Sequence, residues 1–128
     1  MGIEYQIDPA RRVVFIRCAG RVSISEVFQA AGQLRADPNF DPAFNALIDF
    51  TELTKVDAAY AEVSQFAKSQ NGSPFSLHAR RVVVAPQDFA YGIARMYQAL
   101  RGEAEFLVVR THEEASRLLA LDRDAAAS

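Results

Sequence analysis

The sequence predicts an α/β fold built on a mostly parallel five-stranded sheet with an N-terminal antiparallel hairpin and four helices. Two observations carry this. From residue 23 onward, short apolar runs alternate with segments of helical period, which implies right-handed crossovers between parallel strands. Before that, two apolar segments are joined by one Pro turn, close enough to pair as a hairpin. The expected order is β-β-α-β-α-β-α-β-α. A chain of 128 residues fits one domain, placed at residues 1–121, with an Ala-rich frayed tail at 122–128.

Ile3, Tyr5 and Ile7 alternate with Glu4 and Gln6, the period-two pattern of a half-exposed strand. Asp8-Pro9-Ala10-Arg11 has turn chemistry, with Pro presetting φ. Arg12 to Ala19 carries Val13-Val14-Phe15-Ile16, a run suited to a strand covered on both faces, and Gly20 is expected to end it. Ser23-Ile24-Ser25-Glu26 has capping-box spacing. It opens a helix with Ile24, Val27, Phe28, Ala31 and Leu34 on its inner stripe, stopped by the loop carrying Pro38 and Pro42.

Ala46-Leu47-Ile48-Asp49-Phe50 reads as the buried central strand, ending at Asp49 or Phe50 before a polar turn. Thr54 to Asp57 then repeats a cap signal, with Asp57 a candidate N-cap. The second helix has Val56, Tyr60, Val63, Phe66 and Ala67 inside. Asn71-Gly72-Ser73-Pro74 is a loop of strong breakers, and Val82-Val83-Val84 is a strand stopped by Pro86. Asp88 precedes a third helix with Phe89, Ile93, Met96, Tyr97 and Leu100 inward and Gly102 at its close. Gly92 within it costs about 1 kcal/mol against Ala, which predicts close packing there. Phe106 to Val109 is the last strand. Thr111-His112-Glu113-Glu114 caps a final helix with Ala115, Leu118 and Leu119 inside.

Composition narrows the function classes. Half of the residues are apolar, 23% are charged and the formal net charge is −2, so no basic footprint for nucleic acid is present. The single cysteine, Cys18, sits in an apolar run and reads as a buried small residue. The start lacks the basic and apolar regions of a secretory signal, and Gln6 breaks a myristoylation motif at Gly2. No apolar run approaches the ~20 residues of a membrane span, and the expected compartment is the cytoplasm.

No catalytic or metal set is predicted. His78 and His112 lie apart, with no Cys or carboxylate at ligand spacing, whereas zinc takes about four ligands. No cofactor is therefore expected. His78 reads as a loop-edge residue and His112 as part of an exposed helical turn. Ser73 or Ser76 with His78 and Asp57 or Asp88 makes a formal Ser/His/Asp set, but no Gly-x-Ser-x-Gly elbow accompanies it. Asp49 is a better candidate: parallel sheets bind ligands outside the carboxyl ends of their strands. Arg80 or Arg81 is the expected balancing charge. The aromatics Phe66, Phe89 and Tyr97, with Phe75 and Tyr91, read as core or as the lining of an apolar pocket.

Several stretches together carry a family resemblance: Tyr5-Gln6-Ile7-Asp8-Pro9-Ala10-Arg11, Leu47-Ile48-Asp49-Phe50-Thr51, Val84-Ala85-Pro86, Ala94-Arg95-Met96-Tyr97 and the closing helix from Glu114-Ala115 to Leu119. With the element order, they make residues 3–121 resemble the STAS (SpoIIAA-like) superfamily, and within it small bacterial STAS-like proteins grouped with lipid-binding CRAL-TRIO-type relatives. The resemblance implies a partner-binding regulator whose Asp-Ser-Ser-Gly-type element opens a helix and is switched by serine phosphorylation. A phosphate at a helix N-terminus is favoured by free N–H groups and the macrodipole, and its charge can abolish docking. The matching positions here are Asp57-Ala58-Ala59-Tyr60. Both hydroxyls are missing, so that switch does not carry over. Thr51 and Thr54 precede the helix and read as caps.

The expectation is a non-enzymatic regulatory module with a protein partner at Asp49, Thr51, Thr54, Asp57, Ala58, Ala59 and Tyr60. The alternative is a carrier or sensor of a small apolar or lipid ligand, held by Phe66, Phe89 and Tyr97. An enclosed apolar cavity would favour the ligand. A flat apolar patch at Thr54–Tyr60, or a homodimer burying it, would favour the partner.

Overall fold

The hairpin forms where the pattern demands it. Asp8 accepts from the Arg11 N–H at 3.2 Å, Arg12 adopts φ 58°, and strands β1 (Ile3–Asp8) and β2 (Val13–Ser23) pair antiparallel on either side. A computed structural model of the chain describes residues 2–69 and 72–121. Helix α1 (Ile24–Ala36) follows β2, then β3 (Asn45–Asp57), α2 (Tyr60–Lys68), β4 (Arg81–Val84), α3 (Asp88–Arg101), β5 (Phe106–Val109) and α4 (His112–Leu118). The sheet order is β1-β2-β3-β4-β5, and every pair after the hairpin is parallel. The predicted order is therefore observed, with β3 in the middle. Asn71 and the tail at 122–128 lie outside the described residues.

The strand period decides what each face meets. Tyr5, Ile16, Ile48 and Val83 are register neighbours on one face, beneath α1, α2 and α3. Phe15, Leu47, Val82 and Leu107 line up on the other, where Ala115 and Leu119 of the α4 segment pack. Three caps hold as predicted. The Ser23 hydroxyl accepts from the Glu26 N–H at 3.2 Å while Glu26 accepts from the Ser23 N–H at 3.0 Å. That backbone hydrogen bond, first among its causes, holds the Glu26 carboxyl below the usual carboxylate range. At α4 the Thr111 hydroxyl accepts from the Glu114 N–H at 3.2 Å and donates to the Glu114 carboxylate at 3.1 Å, and Gly102 closes α3 with φ 64°.

Several expectations are corrected. Gly20 does not end its strand: it takes φ 67° at an irregularity, and β2 runs on to Ser23. No turn follows Phe50. β3 stays extended to Asp57, paired with β2 through two register shifts, each of which places one extra residue on β3. Helix α2 consequently starts at Tyr60, with Ala59 rather than Asp57 at its N-cap and Glu62 reaching back to the Ala59 N–H at 2.9 Å. Its buried stripe is Val63, Phe66 and Ala67, while Tyr60 is 61% exposed. Gly92 is exposed, and a Cβ there would meet nothing within 4 Å.

Candidate functional site

Asp49 is the last β3 residue that also faces β4, where it is paired with Val84. The strand bulges immediately afterwards, since Arg17 pairs with Asp49 but Ala19 pairs with Glu52. Asp49 Oδ1 accepts from the Thr51 N–H at 2.7 Å and from the Thr51 hydroxyl, so the side chain holds the bulge it sits on. The other oxygen lies 3.1 Å from His112 Nε2, which is also 3.3 Å from Thr51 Oγ1. Gln87 donates to the Thr51 carbonyl at 2.7 Å. The bulge within β3 and the segments that follow β4 and β5 thus meet in an Asp49–Thr51–His112 cluster.

The expected balancing arginines are elsewhere. Arg80 and Arg81 stand at the amino end of β4, opposite to Asp49. Arg80 pairs with Glu105 at 2.8 Å and donates to the Leu118 carbonyl at 2.9 Å. Arg81 is 1% exposed and is bound to Glu103, to the Ala79 carbonyl at 3.0 Å and to the Leu77 carbonyl at 3.2 Å. Arg101 shares Glu103 with it. The partner that Asp49 does have, His112, comes from the start of α4. Its only sequence signal was the crossover that returns each helix start to the strand ends.

Beyond the bulge, Thr51, Thr54, Asp57, Ala59 and Tyr60 are exposed while Leu53 is buried and Val56 and Ala58 are half-buried. Asp57 pairs with Arg21 at 3.0 Å and Lys55 at 3.5 Å. Asp88 pairs with Arg110 at 2.9 Å, and the His78 N–H bonds the Ser76 hydroxyl at 3.2 Å. The formal Ser/His/Asp set is not assembled, because its carboxylates are engaged at other strand and helix ends. Among the described residues no group of three His, Cys, Asp or Glu side chains could hold a metal ion.

An apolar cavity of about 210 Å³, partly open to solvent rather than enclosed, lies between the sheet and the three-helix face. Ile16, Cys18, Ile48, Phe50, Leu53 and Val56 line its sheet side, and Val27, Ala30, Val63, Phe66, Ile93 and Tyr97 its helix side. Phe66, Tyr97 and Phe75 line it. Phe89 does not. It is 41% exposed on the first turn of α3, whose inward positions are Ala90 and Ala94. Tyr91 instead lies under the Arg110 guanidinium, 3.9 Å from the ring centroid. Burial, with Asp49 and Glu26 adding to it, pushes the Cys18 thiol up to about 12, so it stays neutral on the cavity wall. Burial likewise raises Tyr97. Tyr5 is raised by desolvation and by the hydrogen bond it donates to Asp37 at 2.9 Å.

This topology recurs in solved structures. One is an uncharacterised protein of the DUF3478 family from Shewanella loihica PV-4, described as having a SpoIIAA-like fold. It is 19% identical with a TM-score of 0.63, over 92% of this chain and 94% of that one. The chain has the SpoIIAA-like fold. The anti-sigma factor antagonist SpoIIAA in its unphosphorylated form also matches, at 15% identity and a TM-score of 0.54, over 97% of this chain and 98% of that one. No protein-family model and no curated protein matches the chain. On this SpoIIAA-like frame, residues 57–60 lie where β3 hands over to α2, with alanines at 58 and 59.

Proposed function

We propose that this chain is a non-enzymatic SpoIIAA-like binding and regulatory module that meets a protein partner through the segment from Asp49 to Tyr60. In this reading residues 1–121 act as one domain in the cytoplasm, and no serine phosphorylation governs the contact, since Ala58 and Ala59 carry no hydroxyl. The observation that carries the reading is the exposure of Tyr60, 61%, at the first turn of α2, beside exposed Thr51, Thr54 and Asp57. An exposed aromatic is the kind of anchor that dominates interface energies. No helix among the described residues is long and apolar enough to cross a membrane.

The test is photo-crosslinking in the source cells from positions 54 and 60, with position 116 on the α4 face as control. Crosslinks to one protein from 54 and 60 but not 116 support the assignment, and Tyr60→Ala should weaken that contact by about tenfold or more. Crosslinks between two copies would make the partner a second molecule of this chain. Equal yield from all three positions would refute the segment's role.

A second reading, a carrier or sensor of a small apolar ligand, is favoured by the cavity. The two readings share one element. Outward it presents Thr54 and Tyr60; inward it walls the cavity with Leu53, Val56, Val63 and Phe66.

A further inference from the structure

We propose that the cavity under α1, α2 and α3 is a binding site for one compact, neutral, apolar molecule, of the size of a one- or two-ring hydrocarbon. The proposal rests on the ligand reading above and narrows it.

Size comes first. An apolar cavity of ~150 Å³ accepts benzene, so about 210 Å³ suits roughly eight to ten non-hydrogen atoms by the same scaling. An extended lipid chain exceeds that. Charge comes second, because the one charged group on the lining and the hydroxyls of Tyr5 and Ser73 are already engaged, and the Tyr97 hydroxyl and Cys18 thiol that also face it are neutral. The Arg81 guanidinium is spent on Glu103 and two carbonyls. The Tyr5 hydroxyl donates to Asp37, and the Ser73 hydroxyl accepts from the Phe75 N–H at 3.4 Å. A charged head group drawn inside would lack both a counter-charge and a hydration shell, which is prohibitive.

Vacancy of packing comes third. Ile16, Ile48 and Phe50 face the helices from the two central strands, positions that a covered sheet buries, yet all three are only half-buried. Apolar surface left open to water beneath three helices is surface that a ligand can cover with gain.

The experiment titrates the purified chain with naphthalene and, separately, with decanoate as a charged, chain-like counterpart. It follows the melting temperature and methyl NMR shifts. Naphthalene should raise the melting temperature and shift the methyls of Ile16, Ile48 and Val63 while those of Leu47 and Val82, on the opposite face, stay put. Val27→Phe and Ala30→Phe fill the space and should each weaken naphthalene binding at least tenfold. Should either variant fail to fold, the wild-type methyl map decides alone. Tighter binding of decanoate at the same methyls would overturn the compact neutral class and leave a ligand cavity standing. No shift of those methyls with either probe would overturn the class and the ligand reading together. A folded filled variant that binds naphthalene like wild type would place the probe elsewhere and overturn the site.

Discussion

Three helices lie on one face of the sheet and one helix of seven residues lies on the other, and each face mixes closed and half-buried positions: Ala85 and Ala90 are 0% exposed under the three helices, while Phe15, Leu107 and Val109 stay half-buried on the side of α4. There Val82, Val84 and Ala115 have no more than 1% exposure. Ala115 has no side chain beyond Cβ, so α4 settles directly onto β4 and β5. The three-helix layer is joined instead by ring contacts that span it. Phe28 meets Phe66 at 4.9 Å, Phe66 meets Tyr97 at 5.9 Å and Tyr97 meets Phe106 at 5.1 Å. Those rings satisfy one another across α1, α2, α3 and β5, and the strands beneath them keep open apolar surface. The two faces differ in the space beside the sheet, an apolar cavity on the three-helix side and an open groove with a partly polar lining beside α4.

The largest effect expected from breaking this arrangement is at Glu103, which pairs with both Arg81 and Arg101 where the helix layer meets the sheet. Glu103→Ala leaves Arg81 buried and unpaired, and should cost about 3 kcal/mol or more by urea denaturation. A loss below about 1 kcal/mol would mean that the guanidinium escapes to water and that this margin of the helix layer is loose as well.

Leu47 and Ile48 are neighbours in β3 on opposite faces, so they compare the two covers directly. Leu47→Ala truncates a side chain that is only 5% exposed, at the edge of the groove it lines with Phe15 and Leu121, with an expected cost of about 2–4 kcal/mol. Ile48→Ala enlarges a space that already exists, so it should lose mainly the transfer contribution, about half as much. Equal losses would erase the contrast between the faces.

Cys18 reports on the same cavity through pH. Its thiol is raised from the ordinary 9.0 to about 12, so the folded state prefers the protonated form. Stability is then unaffected below pH 9 and falls as pH rises, by about 1.4 kcal/mol per unit, until the folded value is passed. Tyr5 and Tyr97 are also raised, so the measurement is the difference between wild type and Cys18→Ala. The variant should show the shallower alkaline decline, and identical declines would mean that the thiol is solvated.

What the sequence disclosed follows from locality. Val82-Val83-Val84, the caps at Ser23 and Thr111 and the αL position of Gly102 are decided by a few adjacent residues, and each is where the pattern puts it. The second half of β3 was hidden because Leu53 and Val56 are spaced three apart, which reads as a helical turn. Two bulges produce the same spacing on an extended strand by shifting its register against β2. The site was half legible. Asp49 was singled out as a strand end, whereas β3 runs on to Asp57 and Asp49 sits at a bulge within it; His112 joins it only once β4 and β5 carry the start of α4 alongside. Phe89 was misplaced because α3 buries the stripe of Ala90 and Ala94, and small residues give a weak hydrophobic signal. The cavity itself depends on the stand-off between layers, a tertiary quantity that no local pattern encodes.

Gly92 gives the smallest effect. Its expected role was close packing, yet its Cβ direction is open, and its φ is not in the left-handed region. It therefore weakens α3 by propensity alone. Gly92→Ala should stabilise the chain by about 0.5–1 kcal/mol, through reduced freedom of the unfolded state and no new contact in the folded one. The midpoint of urea unfolding should rise with an unchanged slope. The substitution also tests the helix layer, since a stiffer α3 that left naphthalene affinity unaltered would show that the cavity's walls are set by the rings between helices. A lower midpoint would mean that α3 sits closer to a neighbour than its open Cβ direction allows.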